Sequence, residues 1–560
     1  MIFQTSKKQN TINNMKKRTL TTIVCLFFLS QVLLNATTVL NDSWSNVVGG
    51  KSSDQTTTWW SSAEAIRITN NVLLYQKDCG GWTKNVNMQL VLTDAQKTAL
   101  IVDKPKNTEA TIDNSACLYE LLYLSKVYKA ISSDSLKNMI KSSFTKGILY
   151  YLKAQYVNGG WPQFYPLKSG YYTHITYNDN AMVNVMNNLK HVYLKDTYYS
   201  IILSDSIANA AKIAFDKGVN CILKTQYTQK FKLTTWCAQH DEKTLLPANA
   251  RAYELASLSG GESANIIKLL MSLSIQSKEI KRAIYSSVAW YDGVRIKGQR
   301  LESFTNSDGL SDLRVVSIAT AADMWGRFYT LADNRPFFCD RDGIMKFSLA
   351  EIGYERRNGY SWYNTSGNDV MTAYSTWLPK YGTTILASPL PNASFANTDT
   401  IPVMAFANKT TGSTLKKFDL IIDNQTSQSL TTFTLSTPLT GLTAGTHTVI
   451  VKSEYANGFI ESDTCTFKVT GSTATSSMFE TKKNLICYPN PSSNGFTIDM
   501  QGAEMTRVEI LNLQGQQVFS SNPFQTKLFI NKNALNSGVY IVQARDVNNN
   551  LSVQKVTVEP

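Results

Sequence analysis

The sequence predicts a multidomain protein in which an all-α (α/α) toroid domain is followed by two small all-β sandwich domains. Three observations carry this expectation. Apolar residues recur at helical spacing up to about residue 380, as in Met182, Val185, Met186, Leu189 and Val192. A polar and aromatic pattern repeats within that helical region. From Ala387 onward, β-branched alternation between Asn, Gly and Thr turns takes over.

Residues 1–36 read as an export signal. Lys16, Lys17 and Arg18 precede the apolar stretch Thr22–Leu29, and Ala36 suits cleavage. The stretch is too short to span a bilayer comfortably, so no transmembrane anchor is expected in the mature chain. Cleavage would remove Cys25 of the eight cysteines, leaving an odd number with no CxxC pair. They are read as mostly free or buried, not as a disulfide frame or zinc site.

The region 37–385 holds the repeat. Gln76 to Gly80-Gly81-Trp82 has the same spacing as Gln155 to Gly159-Gly160-Trp161, and Asp113-Asn114 echoes Asp179-Asn180. A weaker third copy runs through Gln226, Trp236 and Pro247, where the proline suits a first helical position. Units of this size cannot bury a face alone, so helical hairpins must stack. Helices related by rotation open their preceding loops at one end, which brings Asp179, Asp241 and Asp113 to a common mouth. Helix capping is the plainer reading of each aspartate. The clustered aromatics, Asn and Gln beside Asp179 and Asp241 exceed what a cap needs.

Residues 386–470 read as a β-sandwich, 471–484 as a Ser/Thr-rich linker, and 485–560 as a second β module. The formal net charge of +13 calls for an acidic partner. No dense Lys/Arg block or nucleic-acid motif is present, which excludes nucleic acid and favours an anionic polysaccharide. Two carboxylates beside amide and backbone oxygens are the ligands calcium prefers, and with no HExxH a transition-metal centre is not expected. Arg295, Lys297, Arg314, Arg327, Arg341 and the pair Arg356-Arg357 are candidate cations for a uronate carboxylate.

Several blocks in one order carry a resemblance. They are Gly159-Gly160-Trp161-Pro162-Gln163-Phe164-Tyr165-Pro166, Ile175 to Met182, Trp236 to Asp241, Ala250-Arg251-Ala252-Tyr253-Glu254, Leu258 to Ser263, Asn334-Arg335-Pro336 and Glu355-Arg356-Arg357. Residues 50 to 380 thereby resemble the pectate lyases of polysaccharide lyase family 10. The resemblance implies calcium-dependent β-elimination of polygalacturonate. It makes Asp179 and Asp241 the calcium and catalytic carboxylates and Arg314 the base. Arg341 and Arg356, with Asn180, Trp161 and Lys297, would bind substrate. The chain departs from the family pattern at Ala264-Asn265-Ile266 and in the proline-free stretch Ile318 to Asp323.

The last module resembles the C-terminal sorting domain of the type IX secretion system. Cys487-Tyr488-Pro489-Asn490-Pro491, Val508 to Val518 and Leu535 to Val542 carry that likeness. It implies the type IX machinery as a partner and a secreted or cell-surface location. Two alternatives remain at this point: an inverting glycoside hydrolase acting through paired aspartates, and a non-catalytic polyuronate-binding surface protein.

Overall fold

The computed structural model describes residues 43–51, 55–56, 58–471, 485–512, 516–523, 525–547 and 551–559. The export signal and the core of the linker, 472–484, lie outside the described residues. Two compact units result. One holds the helical region with most of the first β module, and the other is centred on the C-terminal module.

In the first unit, helical hairpins lie side by side. Leu118–Ala130 packs on Asp134–Ala154, Ala181–Leu194 on Asp205–Thr225, and Glu262–Met271 on Lys278–Gly293. One helix set begins with serine caps. The hydroxyls of Ser62, Ser133, Ser204 and Ser277 accept from the amides of Ala65, Leu136, Ile207 and Ile280, which satisfies donors left open by the first turn. Their hairpin partners start differently. Cys117, Asn180 and Gly261 stand at the cap positions and make no side-chain cap bond.

The sequence repeat has a physical basis in the same helices. Gln76, Gln155 and Gln226 each follow a serine-capped helix, and each Nε2 donates to a carbonyl on the next such helix: Ser143 at 2.9 Å, Ala214 at 2.8 Å and Ala283 at 3.2 Å. The paired tryptophans are buried. Trp82, Trp161 and Trp236 donate through Nε1 to the carbonyls of Val72, Tyr151 and Ile222 at 2.9, 2.8 and 2.8 Å. Trp325 repeats the bond onto Tyr291 at 2.9 Å.

This corrects the reading of Trp161 as a substrate-binding residue. Its side chain is 0% exposed, and its only polar atom is spent on Tyr151. Gly218 leaves room for it, because a Cβ there would sit 3.1 Å from the indole. Trp161→Ala is expected to cost about 3–5 kcal/mol of stability, measured by thermal or denaturant unfolding, while the folded fraction keeps its substrate KM.

Two further expectations are revised. No helix starts at Pro247, which instead bridges to His240, and the first helix of the third hairpin begins at Glu262. The intervening loop turns back on itself through Ala250 N to Glu254 O at 2.9 Å. Nor is the region helical throughout to residue 380. Gln299–Thr305 and Ser311–Ser317 form an antiparallel hairpin around Asn306-Ser307-Asp308-Gly309, and short strands continue to Tyr363–Asn364. Side-chain alternation in Leu313-Arg314-Val315-Val316 and the Asp-Gly turn decide this locally.

Beyond the last long helix, Ser366–Tyr381, come a three-stranded sheet (Ile385–Ser388, Ile401–Phe406, Thr434–Leu439) and a five-stranded sheet ordered Ser394–Ala396, Ile460–Thr470, Gly445–Tyr455, Leu415–Ile422, Gln425–Leu430. Contacts with the helices are specific. Lys278 pairs with Asp463 at 2.7 Å, Arg282 donates to Leu386 O at 3.0 Å, and the rings of Tyr285 and Phe406 stack at 4.9 Å.

The C-terminal module has a three-stranded sheet (Ile486–Tyr488, Gly495–Asp499, Lys527–Asn531) and a four-stranded sheet ordered Gln517–Ser521, Met505–Leu511, Gly538–Asp546, Leu551–Val558. Phe496, Ile498, Val508, Ile510, Val542 and Val556 form its core. All seven described cysteines are free, and six are buried. Among the described residues, no helix is long and apolar enough to cross a membrane.

Candidate active site

A cavity of about 520 Å3 opens where the uncapped helix starts meet the β hairpins. Asp179, Arg251, Arg327, Arg357 and Tyr360 line it, with Leu301, Leu313 and Leu349 as an apolar wall.

Asp179 lies in the turn Asn178–Asn180, which hangs on the neighbouring chain through Tyr177 N and Asn178 N to Ala238 O, at 2.9 and 2.8 Å. Its φ of 51° and the 61° of Asn180 are left-handed values that a simple helix start does not require. The capping role is therefore set aside for Asp179. Its carboxylate accepts from Asn178 Nδ2 at 2.9 Å. Burial raises the carboxyl above its ordinary value, and the charges of Asp113, Glu262 and Glu254 push the same way against Arg327. Asn180 accepts from Asn265 Nδ2 at 2.6 Å, so the unusual Asn265 braces this turn.

Each arginine on the cavity is held by its own carboxylate. Asp312 takes Arg357 Nε and Nη2 bidentately, both at 2.7 Å. Arg251 Nε donates to Glu254 at 2.7 Å, and Glu254 also accepts from Tyr360 at 2.7 Å. Arg327 stands 3.5 Å from Glu262 and 4.4 Å over the Tyr360 ring, with Nε left without a partner. The side chains are thus aimed before any ligand arrives.

Of the Arg356-Arg357 pair, Arg357 lines the cavity and Arg356 does not. Successive positions on the helix Tyr354–Asn358 point about 100° apart, and Arg356 is buried between Tyr253 at 3.8 Å and Tyr360 at 4.3 Å. Its Nε and Nη2 have no hydrogen-bond partner. Arg341 is exposed and paired with Glu355 at 2.9 Å, off the cavity lining. Lys297 is likewise exposed and outside it.

Arg314 occupies an adjoining hollow of about 460 Å3 with Gln299, Phe304 and Phe347. Leu313, Leu349, Arg357 and Tyr363 line both spaces, so the two hollows adjoin. Cross-strand pairing sets Arg314 opposite Glu302, which accepts its Nε and Nη2 at 3.0 and 2.9 Å.

Asp241 belongs to a separate cluster. Ile175–Thr176 pairs with Gln239–His240, which brings His174 against Asp241 and Glu242 with one potential ligand atom from each within 4.8 Å of the others. Burial alone would raise the Asp241 carboxyl, yet the amide and hydroxyl of Thr244 hold it below its usual value. Buried His240 is structural. Its Nε2 accepts from Cys237 N at 3.0 Å, and burial lowers it to about 4. Asp113 is buried against Lys84. Sequence reasoning missed Arg251, Glu254, Tyr360 and His174 as site residues, although the run from Ala250 to Glu254 already held the first two.

A family profile described as pectic acid lyase matches residues 76–371, a span that contains every lining residue of the cavity. The chain belongs to this family. A second profile, the secretion system C-terminal sorting domain, matches residues 486–559. Among solved structures, the family 10 polysaccharide lyase from Cellvibrio cellulosa is 32% identical, with 61% of this chain and 98% of that chain covered and a TM-score of 0.49. A mutant of that lyase in complex with trigalacturonic acid is also 32% identical, covering 60% of this chain and 99% of that one, again at 0.49. No curated protein matches. The protein is a pectate lyase with a type IX sorting domain, which directs it to the outer cell surface or beyond.

Proposed function

We propose that this pectate lyase cuts polygalacturonate by calcium-dependent β-elimination and leaves 4,5-unsaturated oligogalacturonates. The observation that carries the reading is the convergence of Arg251, Arg327 and Arg357 with Asp179 on one cavity. Planar guanidinium groups suit a uronate carboxylate, and three of them on one wall are more than a neutral sugar needs. The C5 proton of galacturonate, next to that carboxylate, is removable only when charge building on the carboxylate is neutralised. Once a base takes the proton, the C4–O4 bond breaks and the leaving chain departs on O4.

The carboxylate set fits calcium. Asp179 sits among Asp113, Glu262 and Glu254, while Arg327 is shared with Glu262, so the turn gathers negative charge that a hard cation would relieve. Asp179 is the carboxylate on this cavity that would hold it, and Asp241, which lies in the cluster with His174 and Glu242, would have to join it from outside the cavity lining. Bound calcium would supply positive charge at the substrate carboxylate. Arg314 is the proposed base. Its place in the adjoining hollow means that substrate must span both hollows and displace Glu302 from its guanidinium.

The finer architecture belongs to the same reading. Residues 37–385 are taken as an (α/α) toroid, 386–470 as a β-sandwich, 471–484 as linker and 485–560 as a sandwich-like sorting tail. Stacked hairpins and paired sheets support it. The test is ultraviolet absorbance of unsaturated uronide released from polygalacturonate, with and without a chelator. Absorbance that grows and is abolished by the chelator is expected, and saturated products insensitive to chelation would overturn the reading. Deleting residues from Leu485 onward should leave this activity intact and strand the enzyme in the periplasm of its host. Normal levels in the medium would refute the role of the tail.

A further inference from the structure

The first repeat builds a second polar cavity beside the Asp179 site. It measures about 390 Å3, and its lining includes Trp44, Lys84, Asn85, Asn114, Tyr119 and Glu120. The two cavities are neighbours, because the turn Asp113–Ser115 packs on Asn178–Asn180 and the charge of Asp113 is felt by Asp179.

Glu120 is the observation that points to a ligand. It is 3% exposed and its Oε1 accepts from Trp44 Nε1 at 2.9 Å, but Oε2 has no hydrogen-bond partner. Leaving a buried polar atom unmatched costs about 1–3 kcal/mol; Oε2 is closed off from solvent, so a small shift of the side chain is needed before a bound hydroxyl can remove that cost. Burial raises the carboxyl to about 7, so at neutral pH and below it can both donate and accept. Beside it the amides of Asn85 and Asn114, joined at 2.9 Å, sit on left-handed backbone with φ of 60° and 50°.

Charge decides the ligand class. Among the lining residues Lys84 alone is a cation, and it already neutralises buried Asp113, against three guanidinium groups on the Asp179 cavity, so amides, hydroxyls and rings dominate this space. Half-buried aromatic rings, amides and a neutral acid suit the face and hydroxyls of a pyranose. The size falls within the usual range for small-ligand sites, roughly 300–1,000 Å3.

We propose that this cavity is a distal subsite that holds a further sugar ring of the polysaccharide by its hydroxyls, without reading its carboxylate. The proposal rests on the lyase reading above and extends it along the chain of the substrate. A galacturonate that is methyl-esterified at this one position is accepted as readily as the free acid.

The test compares trigalacturonate with a long oligogalacturonate on the full-length enzyme and three variants. Glu120→Gln keeps side-chain volume, Tyr119→Leu removes the ring and its hydroxyl at a half-buried position, and Asn85→Gly removes an exposed amide while tolerating the left-handed backbone. For the long substrate, kcat/KM is expected to fall about 5-fold or more through KM in each variant, equally at low and high salt, with the trimer unaffected. Equal losses on both substrates, no loss on either, or a loss that vanishes with salt would overturn the subsite. If the wild-type enzyme releases no unsaturated product from either oligomer, the lyase reading fails instead. Calorimetric binding of the same two oligomers to the same variants then decides the subsite by the same criterion.

Discussion

Asp179→Asn is expected to lower turnover on polygalacturonate by roughly 10²–10³-fold, the usual effect of removing one pre-aimed charge from an active site. Asparagine is the informative replacement because it tolerates the left-handed backbone at φ 51°, so the loss reports charge and not strain. The carboxylate contributes little to the core and already suffers repulsion from Asp113, Glu262 and Glu254. The melting temperature should therefore stay constant or rise. Turnover and thermal melting, measured side by side, check this. Near wild-type turnover without added calcium would contradict the assignment, and a stability loss above roughly 3 kcal/mol would make the residue structural.

The second large effect concerns Arg314. If it takes the C5 proton, Arg314→Lys should lose about 10²-fold or more in kcat with KM changed little, although the charge is kept. An arginine base runs against the general rule that guanidinium stays protonated, and only dense positive charge and an alkaline optimum make it workable. Each of the four guanidinium groups on the two hollows is paired with a carboxylate, so the extra positive charge would have to come from bound calcium and from substrate displacing Glu302. Steady-state kinetics at several alkaline pH values decide the matter. A large rise in KM with kcat preserved would reduce Arg314 to a binding residue, and Arg327, half-buried on the same cavity as Asp179, would become the next candidate for the base.

The sequence and the structure agree best where spacing itself has a mechanical cause. Gln76 to Trp82 and Gln155 to Trp161 repeat because each glutamine ties one helix to the next while each tryptophan bonds back to the helix it left. The same fact explains the error at Trp161. An aromatic next to a polar motif reads as a sugar platform, whereas its exposure is set by Gly218 on another helix, which no local pattern reveals. The arginines were visible as a set but could not be sorted. Adjacent Arg356 and Arg357 differ only in the direction their helix gives them, and Arg314 is turned aside by a cross-strand partner twelve residues away. Arg251 stands out only as part of a motif, since the Glu254 that holds it is itself fixed by Tyr360 from a distant part of the chain.

The contacts between the long helices and the first β module bear on where the enzyme can be cut. Thr384 N donates to Glu461 at 2.8 Å, Leu386 N to Asp463 at 3.1 Å, and Tyr285 rests on Phe406. A truncation near residue 385, the boundary that composition suggests, would strip the helix Lys278–Gly293 of Asp463, Leu386 and Phe406 and lay an aromatic seam open to water. The shortest self-sufficient catalyst therefore runs to about residue 468, the last position of the unit that contains the helices. Trimming for expression, domain grafting or proteolytic maturation must respect that edge, which makes the β module part of the chassis of the lyase and not a detachable trailer.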